Sequence, residues 1–195
     1  DQIDDWSTKG ILSFLMKHNL YDQFHKQDFQ SKITSLIELT KVNPSVALIY
    51  AEMLAQDEKV SHDLDPFTCS FAIYEDQVGS DILQMTTTAK KTDDGYVLTG
   101  KKKYIFSNQL TEYLIVCAKI ENSEFGLFKV RQNNKSISKN HAEITEVQEA
   151  FNLNIQLNNV LVSNSELITI WEAEQLMSHQ DIATLFYAAI SIGIA

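Results

Sequence analysis

The chain has 195 residues, a length that allows one large domain or two small ones. Acidic residues outnumber basic ones by 26 to 16, the formal net charge is −10, and Arg131 is the single arginine. This balance excludes nucleic acids and anionic membrane surfaces as expected partners, because both select for clustered lysine and arginine. The apolar fraction of 44% is enough for a hydrophobic core.

The first third of the chain predicts helices. Apolar residues recur at three- and four-residue steps over Trp6–Leu20, and Ser7 is the expected N-cap of this helix. A second helical pattern covers Phe29–Leu39. A third begins at Pro44 directly after Asn43, which is a typical pairing of a cap residue with a proline in the first helical position.

After Pro66 the apolar residues alternate or form short continuous runs, which predicts strands. The sequence Asp93-Asp94-Gly95 predicts a tight hairpin between the second and third strands, with glycine supplying a positive φ. The polar stretch Arg131–Asn140 is predicted as a loop. The predicted strands are Thr68–Tyr74, Met85–Lys90, Tyr96–Thr99, Tyr113–Lys119, Gly126–Val130 and Phe151–Val162.

The chain after Ser163 returns to a helical pattern, which is apolar on most sides over Ile182–Ala195. A helix of this kind must be buried by other elements. We expect it to pack against further residues of its own domain or against a second copy of the chain, and we therefore expect a homo-oligomer.

The cysteines and histidines show no spacing typical of a metal site. Cys69 and Cys117 lie in apolar, strand-like surroundings, and the five histidines are scattered. We predict two buried reduced thiols and no metal ligand. No signal peptide or membrane-spanning run is recognisable, so we expect a cytoplasmic protein without a membrane partner.

Helical, then β, then helical periodicity predicts an α+β fold rather than alternating βαβ units. The expected domains are an N-terminal helical domain over residues 1–66, a middle β-domain over residues 67–165, and the start of a C-terminal helical domain over residues 166–195. The middle domain is expected to be an antiparallel barrel or sandwich-like sheet, and a helix is expected from about Glu172 onward.

A series of motifs in the predicted β-domain carries a family resemblance. Phe71–Asp81 reads Phe-Ala-Ile-Tyr-Glu-Asp-Gln-Val-Gly-Ser-Asp, and it is followed by Thr88-Ala89 and by Asp-Gly-Tyr-Val-Leu-Thr-Gly-Lys-Lys over Asp94–Lys102. In this order and spacing, up to about Leu167, the chain resembles the middle β-domain of the acyl-CoA dehydrogenase family. The resemblance implies helical, β and four-helix domains, FAD bound between the last two, and oxidation of an acyl-CoA thioester in fatty acid metabolism.

The resemblance also implies the residues of a flavin site. Tyr74 and Phe106 stand where the family carries threonines near the flavin, and Tyr104 stands where it carries a tryptophan. Ser80 corresponds to a serine beside flavin and substrate, so it is the expected substrate contact. No residue of this chain is assigned as the catalytic base. The expected FAD-binding residues are Phe71, Ile73, Tyr74, Gly79, Ser80, Tyr104, Ile105 and Phe106.

Three functions remain open at this point. The first is FAD-dependent oxidation of an acyl-CoA-like small molecule. The second is a non-catalytic homologue that serves as a structural or interaction module, and the third is a flavin monooxygenase of the same fold. The basic run Lys101–Lys103 is predicted as a solvated strand end, with contact to a CoA phosphate as the alternative.

Overall fold

The computed structural model describes residues 7–18, 20–57, 60, 64, 65, 67–107, 110–121, 124–141 and 151–195. Trp6 and Pro66, with which the predicted helical part begins and ends, lie outside the described residues. Within these ranges, four helices precede the sheet, namely α1 (Thr8–Lys17), α2 (Leu20–His25), α3 (Phe29–Val42) and α4 (Pro44–Asp57).

Both predicted N-caps are confirmed. Ser7 Oγ accepts a hydrogen bond from Gly10 N at 3.1 Å, and Asn43 Oδ1 accepts one from Val46 N at 3.0 Å. Such bonds satisfy backbone N–H groups that have no partner within the helix. The first helix does not extend to Leu20 as predicted, because that residue begins the separate helix α2.

All six predicted strands are present, and the helix predicted from about Glu172 is observed at Ala173–Ile194. Two predictions are wrong: the expected loop Arg131–Asn140 contains a strand from Ile137, and the stretch after Ser163 forms a strand over Leu167–Trp171 before the last helix begins. The elements are β1 (Cys69–Ala72), β2 (Thr88–Lys91), β3 (Gly95–Ser107), β4 (Tyr113–Lys119), β5 (Phe125–Arg131), β6 (Ile137–His141), β7 (Phe151–Ser163), β8 (Leu167–Trp171) and α5 (Ala173–Ile194).

The strands form one sheet in the order β6-β7-β3-β2-β4-β5-β8, and β1 also pairs with β4. Most neighbours are antiparallel, but β1 and β2 both run parallel to β4, so the sheet is mixed. Within the described ranges the outer strands β6 and β8 do not pair with each other, and the sheet is open rather than a closed barrel. The α+β class is confirmed.

Helix α5 connects the sheet to the N-terminal helices. Leu176, near its beginning, packs with Phe71 and Trp171 in the core on one face of the sheet. Phe186 and Ile190, further along α5, are buried in the core of the N-terminal helices. The continuous apolar pattern of this helix is therefore explained in part by two different cores, one at each end.

The predicted hairpin between β2 and β3 is present, and Thr92 N donates to Gly95 O at 2.9 Å. Glycine is required at position 95 mainly because the backbone of the neighbouring strand β7 lies very close to it. A Cβ atom added to Gly95 would lie 2.0 Å from the carbonyl oxygen of Val162 in β7. The close approach of this backbone leaves no room for a side chain.

Candidate functional site

An irregularity in β3 presents the ring of Tyr104 to solvent. The register between β3 and β7 shifts between Lys102 and Ile105. Tyr104 has a φ of +56°, and 45% of its surface is exposed. A left-handed backbone at a residue other than glycine or asparagine is costly, and such residues are concentrated at functional sites.

The loop after β1 is attached to the same part of β3. Lys103 N donates a hydrogen bond to Tyr74 O at 2.9 Å. Asp76 accepts hydrogen bonds from Lys103 Nζ and, at 3.4 Å, from the Tyr104 hydroxyl. The bond from Lys103 holds the pKa of Asp76 below its usual value. These contacts place the loop beside Tyr104.

A buried ion pair lies beneath this loop. Glu75 Oε1 is 2.8 Å from Lys102 Nζ, which also donates to Ile73 O at 2.8 Å. Glu75 Oε2 accepts from Thr86 N at 2.7 Å, and Oε1 accepts from Thr87 N at 3.0 Å. Burial by itself raises the pKa of Glu75, but the Lys102 charge and these bonds lower it to about 2. The prediction of a solvated strand end is wrong for Lys102, whose side chain is fully buried.

Helix α5 closes the other side of the loop. Gln180 Nε2 donates to the carbonyl oxygen of Ser80 at 2.7 Å. Further along the helix, the ring of Tyr187 lies 6.3 Å from the ring of Phe106. The loop, the irregular part of β3 and one face of α5 therefore meet in one region.

A buried carboxyl group adjoins this region. The Tyr187 hydroxyl donates to Glu52 Oε1. Glu52 lies in α4 and is 7% exposed, and its burial raises its pKa to about 8. Burial, and the nearby Glu52, also raise the pKa of Tyr74. This pair was not predicted from the sequence, although a single acidic residue in the otherwise apolar run Val46–Ala55 was a usable signal.

The eight residues predicted to bind FAD fall into two groups. Gly79, Ser80 and Tyr104 are exposed, Tyr74 and Phe106 are partly buried, and these five surround the junction just described. The other three are buried, two in the core on one face of the sheet and one in the core on the other face, so their side chains are not part of this exposed surface. These three are Phe71, Ile73 and Ile105.

Other predicted features can be checked in the described part of the chain. Cys69 and Cys117 are buried free thiols as predicted, and burial raises the pKa of Cys117 to about 12. No group of three or more His, Cys, Asp and Glu side chains within those ranges is arranged to hold a metal ion. None of the described helices is both long and apolar enough to cross a membrane.

The surface around Tyr104 fits a flat aromatic cofactor. Tyr104 offers an exposed ring for stacking, and Ser80 offers an exposed hydroxyl. A Cβ atom added to Gly79 would meet nothing within 4 Å, so there is open space beside the loop. Phe106 contributes an aromatic edge where a hydroxyl donor was expected from the family. The residues present thus fit a flavin by stacking more than by hydrogen bonding.

Solved structures share this fold. Helices, a mixed sheet and a following long helix in this arrangement are the fold of the acyl-CoA dehydrogenases. Butyryl-CoA dehydrogenase from Megasphaera elsdenii superposes with a TM-score of 0.73 at 19% identity, covering 87% of this chain and 50% of that one. Glutaryl-CoA dehydrogenase from Mycobacterium smegmatis gives 0.72 at 16% identity, covering 84% and 46%.

The sequence of the sheet identifies the family. Residues 70–160 match the family described as acyl-CoA dehydrogenase, middle domain, and this part of the chain belongs to that family, which confirms the resemblance. A prolyl acyl carrier protein oxidase is also similar, with a TM-score of 0.71 at 19% identity over 86% of this chain and 51% of that one. No curated protein matches the sequence significantly. The chain spans about half the length of the solved structures that it matches.

Proposed function

We propose that this chain forms the flavin-binding part of an FAD-dependent oxidoreductase that oxidises an acyl thioester. Its family and fold support this class of activity. Structures similar to it include one described as an FAD-dependent dehydrogenase and one described as a complex with FADH2. We further propose the domain division at residues 66 and 165 and an acyl-CoA-like substrate.

One observation carries the assignment of the site, namely the exposed ring of Tyr104 on a left-handed backbone. A strained and exposed tyrosine is not explained by packing, and it stands beside a loop with open space at Gly79. Aromatic stacking on a bound ring would account for both the exposure and the strain.

The proposed roles follow from position. Tyr104 stacks on the flavin, and Tyr74 and Phe106 border its ring. Ser80 contacts the substrate, while Asp76 and Lys103 hold the loop against β3. FAD would supply the hydride acceptor, and these residues would orient it and limit the access of water.

The test is titration of the purified chain with FAD, followed by flavin fluorescence or calorimetry. Tyr104→Asn removes the ring but retains a residue that tolerates a left-handed backbone. Aromatic contacts of this kind contribute about 0.5–1.5 kcal/mol, so the variant should bind FAD roughly two- to tenfold more weakly. Tyr104→Phe should bind like the original chain.

A control variant separates stacking from general surface effects. Leu161→Asn removes the most exposed of the described large apolar side chains, at 74% exposure on β7, and should leave the Kd unchanged. Equal FAD affinity of the original chain and Tyr104→Asn would contradict the proposed site. Absence of saturable FAD binding would contradict the proposed function.

A second candidate function, an interaction module without catalysis, is favoured by a different observation. Met177, Leu185 and Ile192 are about half or more exposed and share one face of α5. Exposed apolar residues along one helix face are typical of protein interfaces. We propose that this face associates with a second copy of the chain, so that the protein is a homo-oligomer.

A further inference from the structure

The pair formed by Glu52 and Tyr187 connects three parts of the fold. Glu52 lies in α4, Tyr187 in α5, and the hydroxyl of Tyr187 donates to the carboxyl of Glu52. The ring of Tyr187 packs beside Phe106 of β3. Tyr74, in the loop after β1, is close enough to Glu52 for the two groups to affect each other electrostatically.

Among the described residues, no positive charge is recorded beside Glu52. The Tyr187 hydroxyl from α5 and the Tyr74 phenol from the loop both interact with it. In the described ranges no lysine, arginine or histidine forms an ion pair with it. The residues before and after it in α4, Ala51 and Met53, are buried in the hydrophobic core of the N-terminal helices.

A carboxylate in such a place is costly, because an ionised group loses its hydration and one hydroxyl donor replaces little of it. The neutral acid is better accommodated, since it needs only one or two hydrogen bonds. The burial of Glu52 accordingly raises its pKa to about 8 from an ordinary value of 4.5. Ionisation would move the Glu52 side chain toward solvent or bring water to the carboxylate. Either change would disturb the hydrogen bond from Tyr187.

We infer that Glu52 is a positioning residue, which in its protonated form holds Tyr187 of α5 against Phe106 at the edge of the candidate site. The inference concerns the protein without ligand and does not depend on FAD binding. Its consequence is that the junction between α4, α5 and β3 is fixed when Glu52 is neutral and loosens when it ionises.

Direct titration tests the protonation state. In the NMR spectrum of the chain labelled with 13C at its glutamate carboxyl groups, the signal that is absent from the Glu52→Gln variant belongs to Glu52. The midpoint of the titration of this signal is expected near pH 8. A midpoint at or above pH 7 supports the inference, and a midpoint below pH 7 overturns it.

Thermal unfolding at different pH values gives an independent test. The direction in which stability changes with pH follows from the difference between the folded and unfolded pKa of Glu52. Because the folded pKa lies above the unfolded one, folded Glu52 retains its proton between about pH 4.5 and 8, and stability falls with pH over that window. Glu52→Gln lacks this decline, so its Tm should rise relative to the original chain from pH 5 to 8 and then level off. Glu174→Gln, an exposed glutamate on α5, should run parallel to the original chain. If the Tm of Glu52→Gln changed with pH in the same way as that of the original chain, the inference would be overturned.

Hydrogen exchange tests the positioning role. Glu52→Gln keeps a neutral acceptor for Tyr187, whereas Glu52→Leu does not. At pH 6, amide exchange in residues 183–190 of α5 should match the original chain in Glu52→Gln and be at least severalfold faster in Glu52→Leu. At pH 9, the original chain should exchange faster than Glu52→Gln. Identical exchange in the two variants at pH 6 would show that Glu52 does not position α5.

Discussion

Lys102 and Glu75 form an ion pair of 2.8 Å in the interior of the sheet, with side-chain exposures of 0% and 3%. The pair joins β3 to the loop after β1, directly below the part of the loop that reaches Tyr104. Replacing one partner leaves an uncompensated buried charge, whereas the intact pair is also satisfied by backbone groups of Thr86, Thr87 and Ile73. The pair therefore sets the position of the loop.

Lys102→Met is expected to destabilise the chain by about 3 kcal/mol, because Glu75 then remains buried without its partner. The double variant Lys102→Met with Glu75→Gln should recover most of this loss. Urea unfolding of the four members of this cycle measures the coupling. Additive effects of the two substitutions would contradict a direct interaction.

Acid should weaken the fold through the same pair. The pKa of Glu75 is about 2 in the folded chain and 4.5 ordinarily, so the unfolded chain binds more protons between these values. The stability due to this group is present above about pH 4.5 and is lost as the pH falls toward 2. Glu75→Gln should therefore lose less stability than the original chain between pH 5 and 2.5, as measured by urea unfolding. Equal losses in both proteins would argue against a lowered pKa.

The left-handed backbone at Tyr104 predicts that this residue lowers the stability of the chain while it contributes to FAD binding. Tyr104→Gly removes the cost of a left-handed backbone and should stabilise the chain by about 1 kcal/mol. The same substitution should weaken FAD binding, because the ring is lost. Asn159→Gly is a control, since Asn159 has a φ of +53° but tolerates it, and this variant should not be stabilised because it loses the hydrogen bond from Thr99. A destabilised Tyr104→Gly in thermal unfolding would show that the tyrosine is retained for packing.

Phe106→Thr should strengthen FAD binding about fivefold, on the premise that the added hydroxyl donates a hydrogen bond worth roughly 1 kcal/mol. It should also lower stability, because the Phe106 ring packs against Tyr187 and the helical core. Phe106→Ala provides the same space without the hydroxyl and should not gain affinity. Equal Kd values for the Thr and Ala variants would exclude a hydrogen bond at this position.

The exposed face of α5 predicts self-association. Leu185→Lys combined with Ile192→Lys places two charges on this face and should shift the chain toward smaller species in sedimentation velocity. Met16→Lys, which alters an apolar residue 37% exposed on α1, should leave the distribution unchanged. An original chain that sediments as a monomer at all concentrations would contradict the homo-oligomer.

The periodicity of the sequence was sufficient to predict a helix or strand where the element has a clear apolar pattern or a cap residue. Tyr113–Lys119 was predicted with its observed bounds, because it is a continuous apolar run between polar residues. β6 was missed because Ile-Ser-Lys-Asn-His is mostly polar and lies at the edge of the sheet. β8 was missed because Leu-Ile-Thr-Ile-Trp is a short apolar run, which fits a helix or a strand equally well.

The candidate site was predictable only in part. Tyr104 and Ser80 were predicted as site residues through the order of motifs along the chain, and both are exposed in the structure. The Lys102–Glu75 and Tyr187–Glu52 pairs join residues that are 27 and 135 positions apart, and their charge patterns give no sign of pairing. Lys102 resembled its exposed neighbour Lys101, because burial depends on the register between strands rather than on local composition.

Anaerobic addition of acyl-CoA thioesters to the FAD-loaded chain tests the proposed function most directly. We predict that at least one thioester, in a series of straight, branched and carboxylated acyl groups, shifts the absorbance spectrum of the bound flavin, because the acyl group then lies beside the ring. Full reduction would also need a base to take the α-proton, and none is assigned in this chain. Tyr104→Asn at saturating FAD should show a smaller shift. A chain that binds FAD but whose flavin spectrum is changed by none of these thioesters would contradict the account and favour the interaction module.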